Sequence, residues 1–396
     1  MTSAEQNPAP MSLTRRVARK ARQLARRGRQ DPRLLREDYR AVKRYADDYR
    51  KFLRKEFRWE TSWDQRRPAW WRRGFLSRSV TLYDLEHNDP RDYITDVQRY
   101  TRTKYMVHPD LQEVLDNKFS FFLLMNQLGL DSDTVPLLGL YSRGAVHVFP
   151  QDDRVPLQEF LDSRIEVGSR IFIKPAQGAE GRWVRAIRRT EDGYVMNGEP
   201  AEVSDIRAWI ERRKRPMLFE AAVEQAPEQA ALNPRSTNTI RVLTMPDLSR
   251  GREPFILTAV QRIGTSQSNH VDNWTQGGLS AEIDIETGRL SRAAQLPEDR
   301  TPVWYTHHPD SGAALEGAQV PHWETTKAMI LDAANRLSFM EYVGWDIIIG
   351  PDGPVILEAN INSGMNVLQV HRPLLTDPRA REYFLRRGVV RARDLR

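Results

Sequence analysis

From residue 108 onward, short runs of β-branched and aromatic residues alternate with segments of helical spacing. The runs at 171–175, 182–187, 216–223, 238–245, 255–264, 279–285, 343–349 and 354–360 predict strands. Three-to-four-residue apolar spacing predicts helices over Phe119–Leu128, Asp205–Arg213 and Trp323–Leu337. Several of the strands follow one another as hairpins, and no regular βαβ repeat is present, so the expected fold class is α+β. Ahead of this region, Asp31-Pro32 reads as an N-cap followed by proline at the first helical position. Leu35, Tyr39, Val42, Ala46, Tyr49, Leu53 and Phe57 then mark one apolar helix face. Trp59, Trp63, Trp70 and Trp71 stand among scattered charges with no chemical motif, as expected of an accessory packing region. The resulting layout is a disordered lead over 1–12, a helical arm over 13–58, a Trp-rich region over 59–107, a main domain over 108–386 and a basic tail over 387–396.

Composition narrows the chemistry. With 396 residues, 40% hydrophobic and 29% charged, the chain can bury a substantial core. It has no cysteine, which excludes disulfides, thiolate metal sites and a cysteine nucleophile, so any metal must be held by oxygen or imidazole. No run approaches about 18 apolar residues, and the first residues lack the apolar core of a secretory signal, so a cytoplasmic protein is expected. The net charge of +7 is unevenly placed. Residues 11–58 hold 18 Lys and Arg against 6 Asp and Glu, and the chain beyond Arg58 is net acidic. The dense run from Arg15 to Arg29 is therefore the segment suited to an anionic membrane surface or a partner protein. No base-reading motif accompanies it, which argues against nucleic acid.

Four stretches carry candidate chemistry. In the first, two strands flank Pro351-Asp352-Gly353, so antiparallel pairing sets Asp346 opposite residue 357 or 358 and makes it a neighbour of Glu358. Asn360 shares the face of Glu358. Two carboxylates and an amide oxygen form a hard-oxygen set suited to Mg²⁺; a solvated acidic hairpin is the alternative. In the second, a strand ending at Lys174 is followed by Gln177-Gly178-Ala179-Glu180-Gly181, a small-residue loop able to cover phosphates, or merely a turn. In the third, Asn238-Thr239-Ile240-Arg241 puts an arginine in an apolar strand, where it needs a phosphate or carboxylate partner. In the fourth, Arg262 precedes Asn273 by eleven residues, and Gly277-Gly278 permit a close backbone approach or a bulge.

Taken in chain order, these stretches resemble the ATP-grasp superfamily from about His108 to Arg386, beginning with Asp116-Asn117-Lys118. That resemblance implies two α+β lobes gripping ATP, with Lys118 and Lys174 on its phosphates and Gly178 and Gly181 in the loop that covers them. It further implies Glu220, Ala222 and Val223 as the adenine-holding hinge, Glu228 or Glu224 at the ribose, and Asp346, Glu358 and Asn360 on Mg²⁺. Two ions are expected, and Mn²⁺ can stand in. Within the superfamily the chain is similar to α-L-glutamate ligase-like and sugar-transfer associated proteins. The likeness rests on Thr239-Ile240-Arg241, on Arg262 with Asn273 to Gly278, on His308-Pro309-Asp310-Ser311-Gly312, on Gly344-Trp345-Asp346 and on Gln369. Asn360-Ile361-Asn362-Ser363-Gly364-Met365 resembles the loop with which D-alanine ligases hold a substrate carboxylate. Ser363 and Gly364, with Asn238, Asn273, Gly277 and Gly278, are accordingly expected on the substrate side. Glu180 departs from the Ser or Gly usual in better-known ligases.

The resemblance implies a carboxylate–amine ligase that forms an amide through an acylphosphate, with Arg241 and Arg262 as the catalytic arginines and an amino acid, peptide or amino sugar as substrate. Two other readings stay open. One is phosphoryl transfer to a sugar or lipid hydroxyl, with His270, His307 or His308 as base. The other is a nucleotide-binding accessory protein of a glycan-synthesis machine. His307-His308 is not read as a metal pair, because adjacent strand residues face opposite ways.

Overall fold

The computed structural model describes residues 43, 46–57, 63–151, 153–178, 183–296 and 301–395. The chain divides into two compact units, 1–62 and 63–396. In the first unit residues 46–57 are helical. Their buried face runs through Asp48, Phe52 and Glu56, whereas Ala46 and Phe57 are exposed and Tyr49 and Leu53 half-buried. The apolar stripe expected from spacing is thus rotated away from the face that is covered. Lys51 approaches Asp48 to 4.0 Å, the kind of pairing that makes a submerged acid tolerable. The expected helix start at Asp31-Pro32, the basic run from Arg15 to Arg29 and the lead lie outside the described residues.

In the second unit the described strands form two antiparallel sheets. The first has eight strands, β1 (Leu137–Ser142), β2 (Ala145–Val148), β3 (Asp153–Val155), β4 (Arg170–Pro175), β5 (Arg185–Thr190), β6 (Gly193–Met196), β7 (Glu199–Ala201) and β8 (Met217–Ala221), in the order β3-β2-β1-β8-β4-β5-β6-β7. The second has seven, β9 (Ile240–Asp247), β10 (Glu253–Ile263), β11 (Leu279–Ile283), β12 (Leu290–Gln295), β13 (Val303–Tyr305), β14 (Val343–Ile349) and β15 (Pro354–Asn360), in the order β13-β12-β11-β10-β9-β14-β15. Around them pack α1 (Asp96–Thr101), α2 (Lys118–Gln127), α3 (Leu157–Arg164), α4 (Val203–Glu211), α5 (Trp323–Arg336), α6 (Met365–Gln369) and α7 (Pro378–Arg386). Among the described residues no helix is long and apolar enough to cross a membrane.

The two strands of the 343–360 hairpin match their sequence expectation end to end. By contrast, the strand expected over 182–187 runs from Arg185 to Thr190, because Trp183 takes a left-handed φ of 62° that no continuing strand accommodates. The first sheet covers one face with α3 and α4, through Phe160, Leu161, Ile206 and Ile210 against Ile173, Ile187 and Phe219.

The second sheet is covered on both faces. One face packs Ile240, Val242, Trp345 and Ile347 against Phe121 and Met125 of α2 and Ile330 and Ala333 of α5. Fully burying such side chains contributes about 1.5–3 kcal/mol each. The opposite face packs Leu243, Met245 and Val260 against Phe75, Val80 and Tyr83 from the Trp-rich region and against Leu368 and Phe384. Strand alternation then points Arg241, Arg262, Asp346, Glu358 and Asn360 away from the α2–α5 side. They occupy the part of the sheet where that second face turns polar.

Polar contacts tie the Trp-rich region to the chain after β15. Gln369 accepts from Ile94 N at 2.8 Å and donates to Ile94 O at 3.0 Å, pairing both backbone groups of that residue. Arg99 Nη1 donates to Asn366 Oδ1 at 2.9 Å, Thr103 Oγ1 to Asn362 Oδ1 at 3.4 Å, and Asn366 Nδ2 to Ser79 Oγ at 3.4 Å. The region expected only to pack also fixes the loop beside the polar cluster.

Candidate functional site

The hairpin register sets Asp346 opposite Glu358 and Gly344 opposite Asn360, with a bulge after Asp346. On its other side β14 sets Asp346 opposite Arg241 of β9. Arg241 grips Asp346 through two nitrogens: Nε donates to Oδ1, and Nη2 to Oδ2 at 2.7 Å. From β10, Arg262 Nη1 donates to the same Oδ2 at 3.1 Å, while Nη2 donates to Asp272 Oδ1 at 3.1 Å. Arg241 Nη1 also reaches Ser363 Oγ at 3.2 Å. The loop can approach this closely because position 344 is glycine, where a Cβ would stand 2.6 Å from Ser363 Oγ.

The two expected lysines arrive from different elements. Asn117 caps α2 by accepting from Phe119 N and Ser120 N, and Lys118, the first helical residue, donates its backbone N–H to Ala176 O at 2.8 Å. Its Nζ lies 3.2 Å from Glu358 Oε2 and 2.9 Å from Gly178 O, so one side chain joins the hairpin to the loop after β4. Lys174 and Glu220 are buried neighbours on β4 and β8, with Nζ 2.5 Å from Oε2. Ala222 and Val223 follow β8 in an irregular segment that docks at the end of β14 through Ala226 N to Ile349 O, 2.8 Å. Glu224 and Glu228 are both exposed. Gly181 and Glu180 lie outside the described residues.

Electrostatics follow from this packing. Burial alone would push the Glu358 carboxyl up, but Lys118, Lys174 and Arg241 outweigh it and bring Glu358 down to about 2. Burial would likewise lower Arg262, whereas Asp272, Asp346 and Glu358 hold its proton more firmly than usual. At Asp272 burial dominates and raises the carboxyl, against the pull of Arg262 and Thr239.

The oxygen donors suit a hard divalent ion. Asp346 and Glu358 come within hydrogen-bonding range of one another, and the Asn360 amide lies 3.4 Å from Glu358 Oε1. Asp346 Oδ1 accepts from Arg241 Nε, while Oδ2 accepts from both arginines. Among the described residues no three Asp, Glu or His side chains converge, and Asn360 is the amide oxygen beside the Asp346–Glu358 pair. The residues therefore fit Mg²⁺.

Other expected substrate residues hold backbone in place. Asn238 is fully buried and donates to Gln229 O at 2.8 Å and Asn233 O at 3.2 Å. Asn273 caps a short 3-10 turn by accepting from Thr275 N at 3.0 Å, and Gly277 ends that turn at φ 101°, which favours glycine. Gly278 is packed between the carbonyls of Asn273 and Ile263. Gly364 precedes α6. His308 is buried, bonded to Gly264 O at 2.9 Å and accepting from Ser311 N at 3.1 Å; His307 is exposed, and His270 is half-buried beside Asn233.

Sequence reasoning missed Asp272, which binds Arg262 and accepts from Thr239 Oγ1. Its signal was a carboxylate one residue before Asn273, where the chain returns past the end of β10. It also missed Arg99, for which no local signal exists.

Two antiparallel sheets, with Lys118 and Lys174 both acting on Glu358 of the 343–360 hairpin, agree with an ATP-grasp fold. Residues 98–379 match the model of one of its families, and the chain belongs to the sugar-transfer associated ATP-grasp family. No curated protein matches the chain by sequence. Among solved structures it is similar to an N5-carboxyaminoimidazole ribonucleotide synthetase–ADP complex, with 12% identity, 65% of this chain and 47% of that chain covered, and a TM-score of 0.37. It is also similar to D-alanyl-alanine synthetase A from Vibrio cholerae, with 14% identity, 69% and 66% coverage, and a TM-score of 0.37. A third is a biotin carboxylase–β,γ-ATP complex from Campylobacter jejuni, with 10% identity, 76% and 49% coverage, and a TM-score of 0.40. The chain spans about half the length of the first and third.

Proposed function

We propose that the protein is an ATP- and Mg²⁺-dependent carboxylate–amine ligase. The observation that carries this reading is the continuous charged strip Arg262–Asp346–Arg241, linked through Glu358 to Lys118 and the loop after β4. In this reading Lys118 and Lys174 offset the charge of the ATP phosphates. Glu220, Ala222 and Val223 line the adenine edge, and Glu228 serves the ribose. Asp346, Glu358 and Asn360 hold Mg²⁺, which when bound supplies charge neutralisation at the transferring phosphoryl group. Glu358 is ionised at neutral pH and ready to ligate.

Transfer of the γ-phosphoryl to a substrate carboxylate breaks its bond to ADP and forms an acylphosphate. The amine lone pair then attacks the acyl carbon, the carbon–oxygen bond to phosphate breaks, and the amine loses a proton as the amide forms. Arg241 and Arg262, both fixed by carboxylates, stabilise the negative oxygens of the phosphoryl group and carboxylate by preorganised charge. Ser363 and Gly364 present the substrate carboxylate to them. No side-chain nucleophile is required, in keeping with a chain that has no cysteine.

The test is ADP release with Mg²⁺ and ATP across amino acids, short peptides and amino sugars, with hydroxylamine in parallel wells. Substrate-dependent ADP together with a hydroxamate is expected. ADP without hydroxamate would move the acceptor to a hydroxyl group. Nucleotide binding with no turnover on any acid would leave the accessory reading. Asp346→Asn and Glu358→Gln should each abolish Mg²⁺-dependent turnover, and a variant that keeps it would remove that residue from the metal set.

A further inference from the structure

We infer that Arg99, on the segment ahead of both sheets, is a substrate-recognition residue that holds an anionic group, carboxylate or phosphate, at the Ser363–Gly364 loop. The inference rests on the proposed function for the identity of that loop. It adds a residue from a part of the chain with no recognised chemistry.

Arg99 lies on α1, whose start is fixed by a capping box between Thr95 and Gln98. Its Nη1 is anchored to Asn366 Oδ1 at 2.9 Å, and a Cβ built on Gly364 would lie 3.9 Å from its Nη2. The guanidinium therefore lies along the loop that follows Ser363, while Arg241 Nη1 meets Ser363 itself. Two guanidiniums serve two consecutive residues.

Among the described residues the Arg99 guanidinium meets no carboxylate directly; it lies over the Tyr100 ring, 5.3 Å from its centroid, a contact that leaves its N–H groups available. Arg241 and Arg262 both grip carboxylates, but Arg99 makes no ion pair among the described residues and spends one N–H on a neutral amide. The acid that feels it, Asp96, is fully buried, and burial favours its neutral form despite the pull of Arg78 and Arg99. Among the described residues the Arg99 Nε is buried with no hydrogen-bond partner. A second buried polar atom, the Tyr342 hydroxyl, also finds no partner among the described residues, and it lies within electrostatic reach of both Arg99 and Arg241. Leaving such groups unsatisfied is costly, and a bound polar group is the usual remedy. A guanidinium with free N–H groups matches the paired oxygens of a carboxylate or phosphate. The contacts of Gln369 to Ile94 and Thr103 to Asn362 hold α1 in register with the loop, so the guanidinium is positioned before any ligand arrives.

The test uses the full chain and thermal denaturation. Malonate and inorganic phosphate are titrated separately at constant ionic strength, with and without Mg²⁺-ADP. The wild type should be stabilised by at least one anion. Stronger stabilisation by malonate assigns a carboxylate, and stronger stabilisation by phosphate assigns a phosphoryl group. Arg99→Gln should weaken the apparent anion affinity about tenfold, about 1.4 kcal/mol, while keeping the shift produced by Mg²⁺-ADP. Arg99→Lys, which keeps the charge but loses the fork, should fall between and serves if the glutamine variant does not fold. A wild type indifferent to both anions, or variants that respond as the wild type does, would overturn the inference. Absence of a Mg²⁺-ADP shift in the wild type counts instead against the nucleotide reading, since the titration without nucleotide decides Arg99 alone.

Discussion

His371 and Glu358 contribute to the acid response of the fold at different pH. His371 is half-buried beside Ser280, with Nε2 3.0 Å from its Oγ, and loss of solvent around the ring lowers it to about 3 despite an opposing hydrogen bond from the Ser280 backbone. Its folded pKa lies below its unfolded value, so its contribution to stability is complete above about 6.5 and is lost as pH falls towards 3. The expected slope is up to about 1.4 kcal/mol per pH unit over that window. His371→Gln should flatten urea-derived stability between about pH 6.5 and 4; an unchanged slope would show that His371 does not drive it. Glu358 acts lower, with its contribution present above the ordinary carboxylate range and lost as pH falls through about 2. Lys118→Ala removes the largest of the opposing charges, so the Glu358 loss should move to higher pH, readable by carboxylate-resolved NMR titration. Neither shift is visible in sequence, because burial dominates at His371 and at Glu358 the largest opposing causes are the distant Lys118, Lys174 and Arg241.

At the scale of elements, the 343–360 hairpin was the most legible part of the chain. Alternation around Pro351-Asp352-Gly353 places Asp346 opposite residue 357 or 358, and the pairing falls on Glu358. The bulge after Asp346 and the bidentate clasp by Arg241 were not legible, since they depend on which strand lies on the other side of β14. That neighbour, β9, comes about 100 residues earlier in the chain, and local pattern does not specify the pairing. On helix 46–57 likewise, Asp48, Phe52 and Glu56 are buried rather than the stripe with more apolar residues, which spacing alone did not foretell. The tight meeting of β14 with the Ser363 loop gives a direct prediction. Gly344→Ala puts a methyl 2.6 Å from Ser363 Oγ and 2.7 Å from its Cβ. It should cost about 1–3 kcal/mol in chemical denaturation and loosen Ser363 from Arg241, with turnover falling alongside; an unchanged midpoint would mean the loop yields without strain.

For the whole molecule, the uneven charge predicts a division of labour. Deleting residues 1–30, which removes the run from Arg15 to Arg29, should weaken adsorption to anionic vesicles at low salt and leave ATP affinity unchanged. Equal adsorption by the shortened chain would refute a surface role for the arm. The α+β architecture was readable because the stretches that resemble the ATP-grasp superfamily recur in chain order. Arg99 and Asp272 were not, because nothing in a single sequence announces that two distant segments share a loop. That sharing limits how specificity can be transplanted. A chimaera that imports residues 360–369 from a relative without also importing 94–103 would orphan the Ile94 backbone pair and the Asn366–Arg99 bond together. At roughly 1–3 kcal/mol for each buried group left unpaired, such a graft would fail as a fold before its selectivity could be assayed. The two segments behave as one heritable module, and exchanges between relatives should succeed only when both are swapped.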